Sequence, residues 1–201
     1  MKQIDFFYFF GSGYSYLSVM RIDQVAGAAN VSVRWRPFNV RRVMTENNIA
    51  LRTQIAKVKY MWRDIERRAA IHDIPFIEPP IWPTDPELLA NRVGIVAAEE
   101  GWCESYTKAS FRAWYIHHEP LGDPSSLRRI LTNLGKDPAQ VIDRAKSDHT
   151  LGKLTRETDA ARSFGIFGAP SFVVDGEMFW GDDRLEEAVA WAKNAHQRQI
   201  A

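Results

Sequence analysis

The feature that most restricts the fold of this chain is a run of aromatic residues at positions 6–10. Phe6-Phe7-Tyr8-Phe9-Phe10 contains no charged side chain, and Gly11-Ser12-Gly13 follows at once. A short, continuous apolar run that ends at a glycine is typical of a strand that is buried on both faces. Ser12-Gly13 then predicts the start of a helix of about fifteen residues, which Asn30 would end.

An alternating segment at 31–37 follows this helix. Val31-Ser32-Val33-Arg34-Trp35 alternates between apolar and polar side chains, and Pro37 stops the pattern. Period-two alternation indicates a second strand. Two strands joined by a helix of this length predict a parallel pair with a right-handed crossover.

The middle of the chain is predicted to be mostly helical. The segment 74–84 is rich in proline and predicts an extended loop. Asp85-Pro86-Glu87 predicts a helix start there, because an aspartate cap, a proline in the first turn and an early acid all favour one. Further helices are predicted over 53–72, 102–117, 124–134, 138–147 and 151–164.

The C-terminal part returns to strands. Two strands are predicted over 171–174 and 177–180, joined by a hairpin turn at Asp175-Gly176. Gly181-Asp182-Asp183 then predicts the start of a final helix. The order βαβ, a helical block, ββα predicts an α/β, thioredoxin-like fold with a large all-helical insertion. We expect residues 1–40 and 160–201 to form the thioredoxin-like domain and residues 41–159 the insertion domain.

Composition and charge restrict the function. Lysine and arginine number 26 against 25 aspartate and glutamate, which gives a net charge of +1 and removes the main argument for nucleic-acid binding. No apolar run approaches the roughly 20 residues of a membrane span, so no membrane association is predicted. The single cysteine, Cys103, excludes an intramolecular disulfide and favours a reducing, cytoplasmic location.

Two charged clusters are interpreted without a functional role. His117-His118-Glu119 is interpreted as a solvated helix end, because adjacent histidines on a helix point in different directions. No metal site is therefore predicted. Arg63, Glu66, Arg67 and Arg68 are interpreted as a solvated helix face.

Three short motifs are candidates for chemistry. Ser12 lies at a strand-to-helix junction, where it would either cap the helix or offer its hydroxyl at an anion-binding helix N-terminus. Gly168-Ala169-Pro170-Ser171 precedes a strand, where a cis proline would expose backbone groups to a ligand, although trans is the ordinary isomer. Asp182 and Asp183 would either cap the last helix or bind a ligand ammonium group, with the helix N-terminus binding the carboxylate of that ligand.

Together these motifs resemble the kappa-class glutathione transferases and 2-hydroxychromene-2-carboxylate isomerases, a family related to the DsbA-type oxidoreductases. The resemblance covers nearly the whole chain. It rests on Ser12-Gly13-Tyr14-Ser15, Lys57-Val58-Lys59-Tyr60, Phe164-Gly165-Ile166-Phe167-Gly168-Ala169-Pro170 and Gly181-Asp182-Asp183-Arg184. Gly13 departs from the family pattern, which has a proline after the serine.

The resemblance implies glutathione as the cofactor and Ser12 as the catalytic serine that contacts its sulfur. The other glutathione-binding residues that it implies are Asn48, Ala169, Pro170, Asp182 and Asp183. Ala169 would supply backbone hydrogen bonds to the cysteinyl part, and the two aspartates would hold the γ-glutamyl end. Lys57 would lie on the side of the substrate.

The resemblance implies a glutathione-dependent isomerisation of the 2-hydroxychromene-2-carboxylate type, with an aromatic small molecule as the substrate. It also implies that the protein is a homodimer. Ser12 and Ser15 stand where a redox-active relative needs Cys-x-x-Cys, so thiol–disulfide exchange is not expected. Ser12 is interpreted as a hydrogen-bond donor to a thiolate and not as a nucleophile. The segment 76–82 and Trp62 are candidate walls for the substrate. Two alternatives stay open: a transferase that consumes glutathione, and a non-catalytic thioredoxin-like binding module.

Overall fold

A four-stranded mixed sheet organises the chain, of which the structure, a computed structural model, describes residues 2–49 and 54–198. The strands are β1 (Gln3–Tyr8), β2 (Ser32–Pro37), β3 (Ser171–Val174) and β4 (Glu177–Trp180), in the spatial order β2-β1-β3-β4. β1 pairs in parallel with β2 and antiparallel with β3, and β3 pairs antiparallel with β4. The predicted parallel pair, the C-terminal hairpin and the thioredoxin-like order of elements are therefore confirmed.

Helices surround this sheet and make up most of the middle of the chain. They are α1 (Gly13–Ala28), α2 (Val40–Glu46), α3 (Ile55–Ile71), α4 (Leu89–Glu100), α5 (Cys103–His117), α6 (Pro124–Asn133), α7 (Pro138–Lys146), α8 (Asp148–Ser163) and α9 (Leu185–Arg198), with a 3₁₀ turn at Asp182–Arg184 before α9. Of the helices described, none is long and apolar enough to cross a bilayer.

Helix α4 does not begin where the sequence predicts. Asp85 has a φ of 55° and lies outside the helix, and Pro86 and Glu87 form a turn before Leu89. The carboxylate of Asp85 still accepts hydrogen bonds from the N–H groups of Leu89 and Ala90, each at 2.8 Å. Asp85 therefore satisfies two free amides of the first turn, as a capping residue does, but from outside the helix. The predicted N-cap position is therefore wrong, since Leu88 occupies it, although the Asp85 side chain does bind the first turn of the helix.

Two further helices differ from the prediction, one in its existence and one in its first residue. α2 was not predicted, since its seven residues are too few to show a periodic pattern; the side chain of Asn39 caps it by accepting from the N–H of Arg42 at 3.2 Å. α8 begins at Asp148 and not at 151, because the hydroxyl of Ser147 accepts from the N–H of Thr150 at 3.3 Å and starts the helix earlier.

The aromatic strand β1 is buried on both faces, as predicted. Phe6 stacks on Phe172 of β3 with ring centroids 5.3 Å apart, whereas Phe7 meets Phe38 edge-on at 5.9 Å. Alternate side chains of β1 thus enter two apolar clusters, a larger one that includes α1, α3, α5 and α9 and a smaller one beneath α2 and α8. Packing on both sides fixes the end of β1, and with it the position of Ser12.

The larger cluster is shared between the sheet and the helical block. It contains Phe6 and Phe172 from the sheet together with Trp62, Val96 and Trp114 from α3, α4 and α5. The division into 1–40 with 160–201 and 41–159 stays a prediction about chain organisation, and the apolar core extends across it.

Candidate functional site

Ser12 connects the start of α1 to the loop that precedes β3. Its backbone is extended, and its Oγ accepts a hydrogen bond from the N–H of Ser15 at 3.1 Å, which makes it the N-cap of α1. The same hydroxyl donates to the carbonyl oxygen of Ala169 at 3.1 Å. Two motifs that are far apart in sequence therefore meet at one hydroxyl group.

The bond between Ala169 and Pro170 is cis, the isomer that would expose backbone groups to a ligand. The carbonyl oxygen of Pro170 accepts a hydrogen bond from the N–H of Gly181 at 3.0 Å, so the third motif joins the other two here. Gly168 completes the loop, because a Cβ at this position would collide with the indole nitrogen of Trp180. A second cis bond, between Trp82 and Pro83, was not predicted.

The start of α1 carries partial positive charge without an acidic residue to balance it. The first turn of this helix contains no aspartate or glutamate. The amides of Gly13 and Tyr14 are the first in the helix and have no intrahelical acceptor. A helix N-terminus of this kind stabilises a nearby anion by roughly 0.3–1 kcal/mol.

Gly13 allows α3 to pack closely against this end of α1. A Cβ on residue 13 would lie 2.5 Å from Cδ1 of Ile65 and 3.3 Å from Cζ3 of Trp62. A proline at this position, as the family pattern has, would therefore require the Ile65 side chain to move. The departure from the pattern goes with a tighter contact between the two helices.

An aromatic wall, formed by Trp62, Phe76 and Trp82, lies beside Ser12. The indole N–H of Trp82 donates to the carbonyl oxygen of Gly11 at 2.9 Å. Trp82 meets Trp62 edge-on with ring centroids 5.6 Å apart, and Trp62 stacks on Phe76 at 6.4 Å. The residues that the sequence suggested as substrate walls thus border the start of α1.

Asp182 is buried, and both of its carboxylate oxygens are occupied by groups of the chain itself. Oδ1 accepts from the hydroxyl of Ser18 at 2.9 Å and from Nη2 of Arg21 at 3.1 Å. Oδ2 accepts from Nε and Nη2 of Arg68 at 3.0 and 2.6 Å. Asp183, the next residue, has a side chain that is 54% exposed. The two aspartates that the sequence grouped together therefore have different surroundings.

Asn48 and Lys57 lie on the surface. Asn48 follows α2 in a left-handed conformation, with a φ of 55°, and its N–H donates to the carbonyl of Thr45 at 3.1 Å. Lys57 is exposed in the first turn of α3. Within the part of the chain that the structure describes, neither side chain forms a hydrogen bond to Ser12, and residues 50–53 between them lie outside that part.

Arg21 and Arg68 bind the carboxylate of Asp182 but were not predicted from the sequence to do so. Arg63, Glu66 and Arg67 are exposed on α3 as predicted, whereas the interpretation of Arg68 as part of that solvated face is wrong. Arg68 follows the buried Ile65 by three residues, and positions three apart share one face of a helix. That spacing is the signal by which Arg68 could have been found.

Cys103 is a buried structural thiol, as expected. Its Sγ lies 3.2 Å from the hydroxyl of Tyr8. Burial raises the pKa of the Cys103 thiol to about 11. The chain's own cysteine is therefore protonated at neutral pH and unsuited to nucleophilic chemistry.

The chain is similar to known proteins over nearly its whole length. The family described as DSBA-like thioredoxin domain matches residues 3–190. The chain is 28% identical to a 2-hydroxychromene-2-carboxylate isomerase from Sphingobium xenophagum, with 92% of this chain and 95% of the relative covered. It is 24% identical to glutathione S-transferase kappa 1 from Caenorhabditis elegans, with 92% and 88% covered. A solved structure of a 2-hydroxychromene-2-carboxylate isomerase superposes with a TM-score of 0.86 over 98% of both chains at 22% identity, which shows a common fold.

Proposed function

Since the chain belongs to the DsbA-like thioredoxin domain family, we propose that it is a glutathione-dependent isomerase of the 2-hydroxychromene-2-carboxylate type. One observation carries this proposal: a serine hydroxyl stands at the start of α1, within hydrogen-bond distance of the Ala169 carbonyl. A redox-active member of such a fold needs a thiol at the helix N-terminus. A hydroxyl in that place retains the electrostatic surroundings and supplies a hydrogen-bond donor instead.

The residues around Ser12 fit the thiol and the backbone of a glutathione molecule. The amide of Ala169 donates to no acceptor in the described residues, so it is free to bond the cysteinyl part of the tripeptide. Asp183 comes two residues after Gly181, whose N–H donates to the carbonyl oxygen of Pro170. The γ-glutamyl end would be placed at Asp183 and the start of α9. Asn48 completes the proposed binding residues from the loop after α2.

Bound glutathione would supply a thiolate that adds reversibly to the unsaturated, ring-opened substrate, allows rotation about the former double bond and then leaves. Ser12 would turn its proton from the Ala169 carbonyl to the sulfur. A hydrogen bond to a charged group contributes about 1.5–3 kcal/mol, and the start of α1 adds its own attraction for negative charge. Both favour the thiolate over the thiol at neutral pH.

The aromatic wall would hold the ring of the substrate. Trp82 is fixed to the Gly11 carbonyl, one residue before Ser12, so an aromatic ring against it lies close to the reacting sulfur. Trp62 is buried at the base of this wall and excludes water from one side. Lys57 would contribute a positive charge toward the carboxylate of the substrate.

The proposal is tested by assaying the purified protein on 2-hydroxychromene-2-carboxylate with and without glutathione, and titrating free thiol before and after. We expect turnover that requires glutathione and leaves its concentration unchanged. Turnover that is equally fast without glutathione would contradict the proposal, as would the absence of any turnover.

A second candidate is a transferase that consumes glutathione. The similarity to glutathione S-transferase kappa 1 favours it, because that relative covers as much of this chain as the isomerase does. The same assay separates the two activities. A transferase would consume one glutathione for each electrophile converted, whereas an isomerase regenerates it in every cycle.

A further inference from the structure

Tyr115, near the end of α5, has a buried hydroxyl group without a hydrogen-bond partner among residues 2–49 and 54–198. The residue is 0% exposed. The other three tyrosines with no exposure each have a partner for the hydroxyl; they are Tyr8, Tyr16 and Tyr106. Folded proteins leave few buried polar atoms unpaired, because such an atom loses its bonds to water and gains none in return. The hydroxyl of Tyr115 therefore requires an explanation.

This hydroxyl lies against the first turn of α1. A Cβ on Gly13 would be 3.4 Å from the hydroxyl oxygen of Tyr115 and 3.3 Å from Cζ3 of Trp62. Gly13 directly follows Ser12, and Trp62 belongs to the aromatic wall. The oxygen is therefore close both to the proposed catalytic serine and to the wall against which the substrate ring would lie.

Neighbouring groups fix the orientation of the Tyr115 ring. It stacks on Tyr16 with ring centroids 4.5 Å apart, and its centroid is 5.6 Å from that of Phe76 in the aromatic wall. The carbonyl oxygen of Tyr115 accepts a hydrogen bond from the N–H of Ile77 at 2.9 Å, which ties α5 to the loop that carries Phe76. A donor that is held in place in this way needs little reorganisation when charge develops beside it.

The phenol of Tyr115 is protonated at neutral pH and is available as a donor. Burial raises its pKa well above the ordinary value, and Tyr16 raises it further. The first turn of α1 contains no aspartate or glutamate, so it offers this phenol no carboxylate as an acceptor. An acceptor must therefore come from outside the described part of the chain.

The substrate of the proposed isomerase has an oxygen that suits this donor. Opening the ring of a 2-hydroxychromene-2-carboxylate gives a phenol and a ketone that is conjugated to a double bond. Addition of a thiolate forms a carbon–sulfur bond and moves the electron pair of the double bond into the ketone, whose oxygen becomes an enolate oxygen. After rotation, the reverse step restores the ketone and releases the thiolate. A fixed donor beside the ketone oxygen would lower the barrier to addition, and Ser12 is already assigned to the sulfur.

We propose that the hydroxyl of Tyr115 donates a hydrogen bond to the ketone oxygen of the substrate and stabilises the enolate that forms there. The inference rests on the proposed function and adds a catalytic residue to it. Because neighbouring side chains cover the hydroxyl, the substrate reaches it by moving the edge of Trp62 aside. The group that lacks a partner within the chain thus finds one in the substrate.

The test begins with Tyr115→Phe, which removes one oxygen and keeps the stacked ring. We expect kcat/KM for 2-hydroxychromene-2-carboxylate to fall roughly 10²-fold, mostly through kcat, because the bond is strongest in the transition state. The midpoint of chemical denaturation should stay the same or rise, since no bond within the chain is lost. Tyr106→Phe is the matched control on the same helix. It loses a bond of 3.1 Å to the Ala90 carbonyl, so its midpoint should fall while kcat/KM stays unchanged.

A binding measurement separates contact with the substrate from an effect on structure. The ligands are 2-oxo-4-phenylbutanoate and 4-phenylbutanoate, which differ only in the ketone and have no double bond for the thiolate to attack. With glutathione present, the wild type should bind the keto acid more tightly. Tyr115→Phe should lose most of that preference, and Tyr106→Phe should keep it.

Several outcomes would overturn the inference. An unchanged kcat/KM in folded Tyr115→Phe would show that the hydroxyl takes no part in the reaction. A fall in kcat/KM together with a lower denaturation midpoint would make the hydroxyl a structural group. Equal affinity of the wild type for the two ligands, or a preference that Tyr115→Phe retains, would also contradict the contact. Failure of the proposed function differs from all of these, because the wild type itself would then show no glutathione-dependent turnover.

Discussion

The first turns of α1 and of the segment that leads into α9 are built in opposite ways. The first turn of α1 has no acidic residue and is capped by the neutral hydroxyl of Ser12. The 3₁₀ turn Asp182–Arg184 carries two carboxylates, one of them buried against Arg21 and Arg68. A helix N-terminus attracts negative charge in both cases. The chain supplies that charge itself before α9, whereas at α1 it does not.

From this contrast we expect the Asp182 carboxylate to stabilise the fold and, under the proposed function, the Ser12 hydroxyl to contribute to the reaction. Removing the Asp182 carboxylate should cost folding free energy, because it takes a buried partner away from two guanidinium groups, those of Arg21 and Arg68. Under the proposed function, removing the Ser12 hydroxyl should lower the rate, because this hydroxyl would donate to an anion that forms during the reaction.

Asp182→Ala should have the largest effect on stability. It leaves Arg21, which is buried, without its Asp182 partner, and we expect a loss of about 3–5 kcal/mol in the free energy of unfolding. Chemical denaturation measures it, with Asp183→Ala as the matched control, which should stay within about 0.5 kcal/mol of wild type. Equal losses in both variants would abolish the distinction between the two aspartates.

Ser12→Ala should have the largest effect on rate. Loss of one preorganised donor to a developing anion costs roughly 10²-fold or more, while loss of the cap costs at most about 2 kcal/mol of stability. Turnover and the ultraviolet absorbance of the bound thiolate against pH measure it; turnover should fall and the apparent pKa of the bound thiol should rise. Ser12→Thr keeps a hydroxyl and serves as the control. A folded Ser12→Ala variant that matches wild type in both measurements would reduce Ser12 to a helix cap.

Asp183→Ala should weaken glutathione binding by about tenfold, because a hydrogen bond to a charged ammonium group is lost. Calorimetry gives the affinity. Glu187→Ala is a suitable control, since Glu187 is also exposed and also paired with Arg184. Unchanged affinity in Asp183→Ala would show that the turn before α9 takes no part in binding and serves the fold alone.

Gly13→Ala should have the smallest effect. The added Cβ would lie 2.5 Å from Cδ1 of Ile65, and we expect a net loss of about 1 kcal/mol in stability. In an Ile65→Val background that methyl group is absent, so the same substitution should become neutral or stabilising. Thermal unfolding of the two single variants and the double variant checks this. Additive effects on stability would show that the contact with Ile65 does not cause the destabilisation by Gly13→Ala.

The sequence predicted those parts of the molecule that short segments determine. The aromatic run of β1 and the turn at Asp175-Gly176 contain their own structural signals, and both are confirmed. Asp85 was identified as a cap, but the turn after it displaced the start of α4, since a cap can bind its helix across an intervening turn. The pair of Arg68 and Asp182 could not be predicted, because 114 positions separate its members and only the folded chain brings them together.

The meeting of the three motifs near Ser12 is a second feature that short sequence segments could not predict. The three motifs were recognisable individually, yet each had an ordinary structural interpretation as a cap or a turn. Their proximity depends on β1 pairing with β3, which brings the Ala169 carbonyl within 3.1 Å of the Ser12 hydroxyl. The resemblance to a known family suggested that they lie together, and the pairing of the strands supplies the physical reason for their proximity.

The hydrogen bond from Trp82 to the Gly11 carbonyl joins the two halves of the proposed site, and under the proposed function it would link the binding of their ligands thermodynamically. A ring that displaces Trp82 must also disturb the peptide immediately before Ser12, and a change in the orientation of that peptide must alter where Trp82 lies. Any free energy by which one ligand favours the other is reciprocal. The affinity for an aromatic acceptor should therefore depend on whether a thiol tripeptide is already bound, and by the same factor in both orders of addition.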